Sequence, residues 1–352
     1  MKIIAYPYNG SAYTDAFYSA LSPKVEVIAG EWSGQWMWAN IGSEDVVHFH
    51  WPSFYYSSEG PSLGIYWRFF RFVLLLLVLH FRAKAIFWTA HNLLPHKRCS
   101  VPKVDVWARI LLIRLASRIF VHGKEAEKVF VGKFPTAKSK CLCIPHGNWN
   151  GYYPKAPSRI EARERLGFTE NAFIVELFGF CRPYKNVHGL IRAFNRIATS
   201  GDYLLIAGQF SSAAYRQEVE SLAAENPNVR IDSRFIPDAD VPMYISACDV
   251  LCVPYQEVLT SGTAMLALTY GRPVISINRG FLRDVVPKDV GVLVEPGDEF
   301  ALTEALLKAK QENWSEEAIR AHSRRFEFQA AADLLLDEAS GVTEGRVGLA
   351  DL

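Results

Sequence analysis

Short, almost uninterrupted apolar runs alternate along the whole chain with longer segments of helical period. In the first half, Ile3–Tyr6, Val25–Ile28, Val46–His50, Ala85–His91, Ile119–His122 and Leu142–Pro145 predict strands. Several carry almost no polar residue, as expected of parallel strands covered on both faces. The rhythm restarts at Phe173, with Phe173–Phe178, Tyr203–Ala207, Val229–Asp232, Val250–Pro254, Val274–Ile277 and Val290–Val294. Between strands, Val104–Ala116 and Lys124–Lys133 read as helices, and Val187, Leu190, Ile191, Phe194 and Ile197 recur on one apolar stripe of helical period. Glu316–Ala339 predicts a last helical stretch. This alternation predicts an α/β chain of parallel sheets with helices on both faces.

A polar stretch with Tyr152, Pro154, Lys155 and Pro157, running from Gly147 to Arg165, parts the two series and reads as the linker. The expected domains are residues 1–155, residues 156–322, and a terminal helix and tail over 323–352. Open lobes of this kind bind ligands beyond the carboxyl ends of their strands. A length of 352 residues suits two lobes. Composition narrows the class: 50% hydrophobic and 21% charged residues exclude a disordered chain. The six cysteines form no CxxC pair, which argues against a disulfide framework and a structural zinc site. The start, KIIAY, has no signal-peptide pattern, so a cytoplasmic setting is expected.

Net charge is +1, yet residues 1–155 hold 18 Lys and Arg against 9 Asp and Glu, and the remainder 20 against 28. The basic first half suits an anionic surface. Within it, Ile65–Phe87 has an uncharged core, Phe72–Phe81, of about half a bilayer span. Arg68, Arg71, Arg82 and Lys84 flank it, with Tyr66, Trp67, Phe69 and Phe70 interleaved. Such a helix fits either peripheral contact with an anionic membrane or an ordinary core position. No nucleic-acid partner is expected.

Candidate chemistry gathers at strand ends. Gly179-Phe180-Cys181-Arg182-Pro183-Tyr184-Lys185-Asn186 follows a strand and precedes the amphipathic helix. Gly179 permits a sharp turn and close ligand approach, while Arg182 and Lys185 place two cations near a helix start, which suits a diphosphate. The alternative is a loop with two solvated cations. After the strand at Val250, Tyr255 and Thr260-Ser261-Gly262-Thr263 lead into an apolar helix, Ala264–Tyr270. The hydroxyls and free N–H groups there could hold phosphate oxygens without a metal, or simply cap the helix. Asp238-Ala239-Asp240 resembles a metal-binding DxD, but its place before a helix favours capping.

In the first half, His48, His50, Trp51, His91, Asn92 and His122 lie at strand ends, and His146 near the linker. Rings and polar tips of this kind suit sugar recognition. The spacing is no HExxH, which weakens a zinc reading, and His48 is expected to pack inside the sheet.

Taken in order, these clusters resemble a GT-B glycosyltransferase, in which two Rossmann-like lobes face each other across a cleft. The second-lobe marks are GFCRPYKN, Ala207-Gly208-Gln209, Phe235-Ile236-Pro237, Ala247-Cys248-Asp249 and Tyr270-Gly271-Arg272-Pro273-Val274-Ile275. HFHWP, WTAHNLLPH, IPHGN and LTSGT resemble a group of bacterial exopolysaccharide transferases that includes GDP-mannose-dependent β-1,4-mannosyltransferases. The resemblance implies a metal-independent hexosyltransferase with a nucleotide-sugar donor and a lipid-linked or oligosaccharide acceptor, no cofactor, and a terminal helix within 323–352 that crosses back to the first lobe. It places Gly179, Arg182, Lys185, Gly208, Phe235, Ile236, Tyr255, Thr260, Ser261, Gly262, Thr263 and His146 on the donor, and Trp51 and Asn92 on the acceptor. His91 and His50 are the leading bases, with Asp15 and Glu59 as further candidates.

Two positions depart from the family pattern. The Glu-x7-Glu pair of retaining members falls on Val258 and Leu266, with Glu257 alone nearby, which implies an inverting enzyme. Ser53 stands where Glu often follows HWP. The rival readings are a retaining UDP- or GDP-sugar transferase using Glu257, a non-catalytic nucleotide-sugar-binding subunit, and a sugar-nucleotide epimerase.

Overall fold

All twelve predicted strands form, each ending within two residues of its predicted limits. The computed structural model describes residues 1–95 and 98–341, so His96 of the WTAHNLLPH motif and the tail 342–352 lie outside the described residues. The chain divides into two units: Met1–Gly147 with the chain from Glu327 on, and Asn148–Phe326.

The first unit runs β1 (Lys2–Tyr6), α1 (Ala12–Leu21), β2 (Glu26–Ala29), α2 (Gly34–Asn40), β3 (Val46–Phe49), α3 (Ser62–Arg82), β4 (Ala85–Thr89), α4 (Pro102–Leu115), β5 (Arg118–Val121), α5 (Lys124–Lys133) and β6 (Cys141–Cys143). Its strands are parallel in the order β2-β1-β3-β4-β5-β6. Every residue of β3 and β4 is buried, which is why these stretches read as continuous apolar runs. The order reverses between β1 and β3, so the crevice lies beyond Tyr6 and Phe49.

The second unit runs α6 (Arg159–Arg165), β7 (Phe173–Phe178), α7 (Val187–Asn195), β8 (Asp202–Ala207), α8 (Ala213–Ala223), β9 (Val229–Asp232), α9 (Val241–Ala247), β10 (Val250–Val253), α10 (Gly262–Thr269), β11 (Val274–Ile277), α11 (Phe281–Val285), β12 (Gly291–Val294), α12 (Glu299–Gln311) and α13 (Glu316–Ser323). Its parallel sheet is ordered β12-β11-β10-β7-β8-β9. The reversal falls between β7 and β10, whose following loops are the two predicted phosphate-binding segments.

Three expectations change. The predicted linker is mostly folded into the second unit. Trp149 donates from N to Thr269 Oγ1 (3.1 Å) and from Nε1 to the Gly262 carbonyl (2.9 Å), and α6 is capped by Ser158. Its buried Arg163 bonds the Ala247 carbonyl and the Asp249 carboxylate. Trp149 and Arg163 dock the stretch, whereas Tyr152, Pro154, Lys155 and Pro157 made it read as a spacer.

The predicted helix Glu316–Ala339 is two helices, α13 and α14 (Phe328–Gly341). The chain turns between them, where the Phe326 carbonyl accepts from the Asn148 N–H and the Ser323 carbonyl from Asn148 Nδ2. α14 then packs on α1 in the first unit, burying Ala331, Ala332, Leu335 and Ala339. Lys24–Asp333 and Arg118–Glu338 ion pairs flank that contact.

Finally, the apolar run is one 21-residue helix, α3, roughly 31 Å long. Among the described residues it is the helix long and apolar enough to cross a membrane, and only 28% of its most apolar window is buried. Ile65, Phe72, Leu75, Leu76 and Leu79 face the unit's core, while Leu63, Tyr66, Trp67, Phe70 and Leu74 are exposed.

Candidate functional site

In the second unit the turn after β7 is built around Gly179, at φ +90°. A Cβ there would stand 3.4 Å from Lys185 Nζ and 3.8 Å from Thr263 Oγ1, so ammonium and hydroxyl converge over the bare glycine. Lys185 is buried; it donates to the Phe178 carbonyl (3.2 Å) and lies over the Tyr255 ring. Those contacts hold the cation in place before any ligand arrives. Arg182 is half-buried and stacks on exposed Phe180, 4.8 Å from its centroid. The two loops are joined by the Gln256 N–H to the Tyr184 carbonyl (2.8 Å) and by the Tyr184–Tyr255 ring contact.

Gly208, after β8, is at φ +144°, and a Cβ there would fall 2.3 Å from the Gly179 carbonyl oxygen. Only glycine lets the backbones of these two strand ends approach so closely. On the other side, Ser261 caps α10 by accepting from Ala264 N, so its hydroxyl is spent on the helix. Thr260 Oγ1 is buried without a hydrogen-bond partner among the described residues. A buried hydroxyl in that state is uncommon in folded proteins. Gly262 and Thr263 open α10, whose first N–H groups have no intrahelical partner. One switch point therefore gathers the Lys185 ammonium, the Thr263 and Thr260 hydroxyls and helix-start N–H groups, with Arg182 on the same loop after β7, groups whose chemistry suits an anionic ligand.

Phe235 and Ile236 follow β9, next to the Gly208 strand end through the Gly208 N–H to Asp232 carbonyl bond. Phe235 is 69% exposed, whereas Ile236 is buried. Asp240 stands at the N-cap of α9 without a side-chain cap bond; its carboxylate instead meets Arg234, so the capping expectation fails there.

In the first unit the strand-end histidines form one buried aromatic cluster. His48 bonds Tyr18 Oη through Nδ1 (3.1 Å) and Thr89 Oγ1 through Nε2 (2.8 Å), inside the sheet as expected. His50 is buried too: its Nε2 meets Tyr18 Oη (2.8 Å) and its Nδ1 meets His91 Nε2 (3.0 Å). Trp51 stacks on His91, 4.6 Å between centroids, with Asn92 next in the chain and half-buried. Tyr13 lies among His50, His91, His122 and His146, its hydroxyl buried without a hydrogen-bond partner among the described residues. His146 packs against Tyr13 and His122 in this first-unit cluster.

Burial holds all five imidazoles neutral: His48 is pushed down to about 3 and His146 to about 4. His50, His91 and His122 lie well below the ordinary value, again through burial first and neighbouring imidazoles second. Asp15 and Glu59 are both exposed. Among the described residues no group of His, Cys, Asp and Glu has metal-binding geometry.

Tyr13, Tyr18 and Thr89 escaped the sequence reading, since an aromatic on a helix and a Thr in a strand look like core. Tyr184 and Asn186 sat in a recognised motif without an assigned role. Asn186 is a non-glycine in the left-handed region (φ 56°), its amide against Gly189, and a backbone of that kind has no sequence signature.

Two all-parallel six-stranded units, each with its own switch point, define the GT-B class of α/β fold. Residues 173–312 match the family described as glycosyl transferases group 1. The chain is 25% identical over 239 residues to the GDP-mannose:glycolipid 4-beta-D-mannosyltransferase of Xanthomonas campestris pv. campestris, covering 68% of this chain and 62% of the relative. It is 26% identical over 279 residues to the D-inositol 3-phosphate glycosyltransferase of Geodermatophilus obscurus, covering 73% and 61%. The matched region therefore spans about three-fifths of each relative's length. Among solved structures, Anabaena HepE in complex with UDP and glucose superposes with a TM-score of 0.73 at 17% identity, covering 97% of this chain and 99% of that one. Sucrose-phosphate synthase from Thermosynechococcus elongatus superposes with a TM-score of 0.66 at 18% identity, over 96% and 98%.

Proposed function

We propose that the protein is an inverting, metal-independent glycosyltransferase. It moves mannose from GDP-mannose to a lipid-linked or oligosaccharide acceptor in exopolysaccharide or glycolipid synthesis. The observation that carries this reading is the convergence of Lys185 Nζ and Thr263 Oγ1 over Gly179 at the second unit's switch point. Breaking the bond from the anomeric carbon to the phosphate oxygen leaves an electron pair on the diphosphate, and prepositioned cations aimed at that charge are the largest rate term available. The acceptor oxygen bonds the anomeric carbon from the opposite face while a base takes its proton. Gly208, Phe235, Ile236 and Tyr255 would border the nucleoside. Trp51, after β3, and His91 and Asn92, after the neighbouring β4, would meet the acceptor. The guanine nucleotide and mannose are supported by the name of the Xanthomonas relative.

Peripheral attachment to the inner face of the cell membrane belongs to the same reading. Leu63, Tyr66, Trp67 and Phe70 form an exposed apolar groove on α3 beside exposed Arg68. Arg71 and Arg82 are engaged otherwise than their spacing suggested: they donate to the backbone carbonyls of Trp32, and of Trp38 and Ile41. The aromatic ridge rather than those two cations would carry the contact.

Thermal shift with GDP and UDP, followed by transfer assays on Arg182→Ala and Lys185→Ala, tests the reading. GDP should raise the melting temperature more than UDP, and each variant should lose about a hundredfold or more in turnover. Normal transfer by both variants would refute the donor assignment.

A further inference from the structure

His91, His50, Tyr18, His48 and Thr89 form an unbroken chain of hydrogen bonds through the first unit's core. Its links are His91 Nε2 to His50 Nδ1 (3.0 Å), His50 Nε2 to Tyr18 Oη (2.8 Å), Tyr18 Oη to His48 Nδ1 (3.1 Å) and His48 Nε2 to Thr89 Oγ1 (2.8 Å). All five side chains are buried, His91 keeping 5% exposure at one end and Thr89 none at the other. A neutral imidazole has one donor and one acceptor nitrogen, and a hydroxyl has a single proton. The chain therefore has few ways to place its protons, and they can be counted.

Thr89 Oγ1 has His48 Nε2 as its one hydrogen-bond partner among the described residues. If His48 donated to it, the threonine proton would be buried without an acceptor, a cost of about 1–3 kcal/mol. If both imidazoles donated to Tyr18, the phenol proton would be stranded instead. Only one arrangement places every buried proton. Thr89 donates to His48 Nε2, His48 Nδ1–H to Tyr18, Tyr18 to His50 Nε2, and His50 Nδ1–H to His91 Nε2. His91 is then left with its proton on Nδ1, the nitrogen without a hydrogen-bond partner among the described residues.

We infer that His91 meets the acceptor substrate as a fixed hydrogen-bond donor through Nδ1–H, its tautomer set from Thr89 through His48, Tyr18 and His50, and that neither His91 nor His50 is the base. This rests on the first unit being the acceptor side, as proposed above. The burial that keeps these imidazoles neutral opposes the base role independently, because accepting a proton would place a cation among neighbouring imidazoles. His50 has both nitrogens engaged and is a positioning residue, as are Tyr18 and His48. The partner on the substrate is an acceptor oxygen with a free lone pair, such as a sugar hydroxyl.

Two-bond proton–nitrogen NMR of the full chain labelled with 15N-histidine reads the tautomers without any substrate. His48, His50 and His91 should all carry the proton on Nδ1, each resonance assigned by its loss in a point variant. A proton on His91 Nε2 would overturn the inference whether or not the protein transfers sugar. Tyr18→Phe removes the central joint and should give mixed tautomers at His91; an unchanged pure Nδ1–H pattern would sink the relay. In transfer assays, His91→Asn keeps an amide N–H near the place of Nδ1 but has no basicity. It should retain activity within about tenfold of the parent, while His91→Ala loses about a hundredfold. Equal losses in the two variants would return His91 to the role of base.

Discussion

Mild acid should unfold the first unit selectively. His48, His50, His91, His122 and His146 are buried and neutral there, each with its folded-state pKa below the ordinary 6.5. A lowered folded value means that the unfolded chain binds more protons below pH 6.5, so stability is complete above that value and falls as pH drops. At pH 5.5 each such imidazole withdraws about 1.4 kcal/mol, and five together about 7 kcal/mol, against a typical domain stability of about 5–15 kcal/mol. With an m-value of about 2 kcal/mol/M, that is a fall of about 3.5 M in the urea midpoint. Seven of the nine tryptophans lie in the first unit, so urea titrations followed by tryptophan fluorescence at pH 7.5 and 5.5 report chiefly on it. The second unit holds His188, whose pKa burial also lowers, and should lose far less. A first-unit midpoint that stays put between these two pH values would refute the claim that the cluster is held neutral by burial.

Other substitutions test separate parts of the structure. Thr260→Val removes a buried hydroxyl without a partner among the described residues and should leave thermal stability unchanged or raise it by up to about 1 kcal/mol. On the proposed donor reading, the same variant should weaken nucleoside diphosphate binding by about fivefold or more in calorimetry. Gly208→Ala drives a methyl into the Gly179 carbonyl and should cost about 2–4 kcal/mol in chemical denaturation, together with measurable donor binding. Trp67→Ser with Phe70→Ser should abolish co-sedimentation with anionic vesicles while leaving the far-ultraviolet spectrum intact; unchanged sedimentation would return α3 to a purely structural role.

Parallel strands buried on both faces have no solvent side, so their apolar runs announced both sheets and most of their limits. Glycine and cation spacing after β7 announced the bare turn where Lys185 Nζ and Thr263 Oγ1 converge, because backbone approach and charge are local properties. The first-unit cluster was legible only in part. His50 and His91 are 41 positions apart and meet because β3 and β4 pair in register, while Tyr18 reaches them from a helix. No local pattern says which nitrogen of an imidazole faces which neighbour. The linker and the break before α14 were misread for a related reason. Polar residues that bond distant carbonyls, such as Asn148 and Arg163, look the same in sequence as polar residues in water.

The return of α14 to the first unit makes that unit discontinuous in the chain. Its sheet is complete by Cys143, yet the groove over α1, and the space beside Gly147 that the Phe328 ring fills, stay open until the last helix arrives. During synthesis the later, uninterrupted half can therefore finish folding while the earlier half still waits for its closing piece. A product stopped before Glu327 would carry an intact second unit beside an N-terminal half with a raw apolar flank. Such a fragment is a natural client for chaperones, and supplying residues 327–341 separately should restore its solubility.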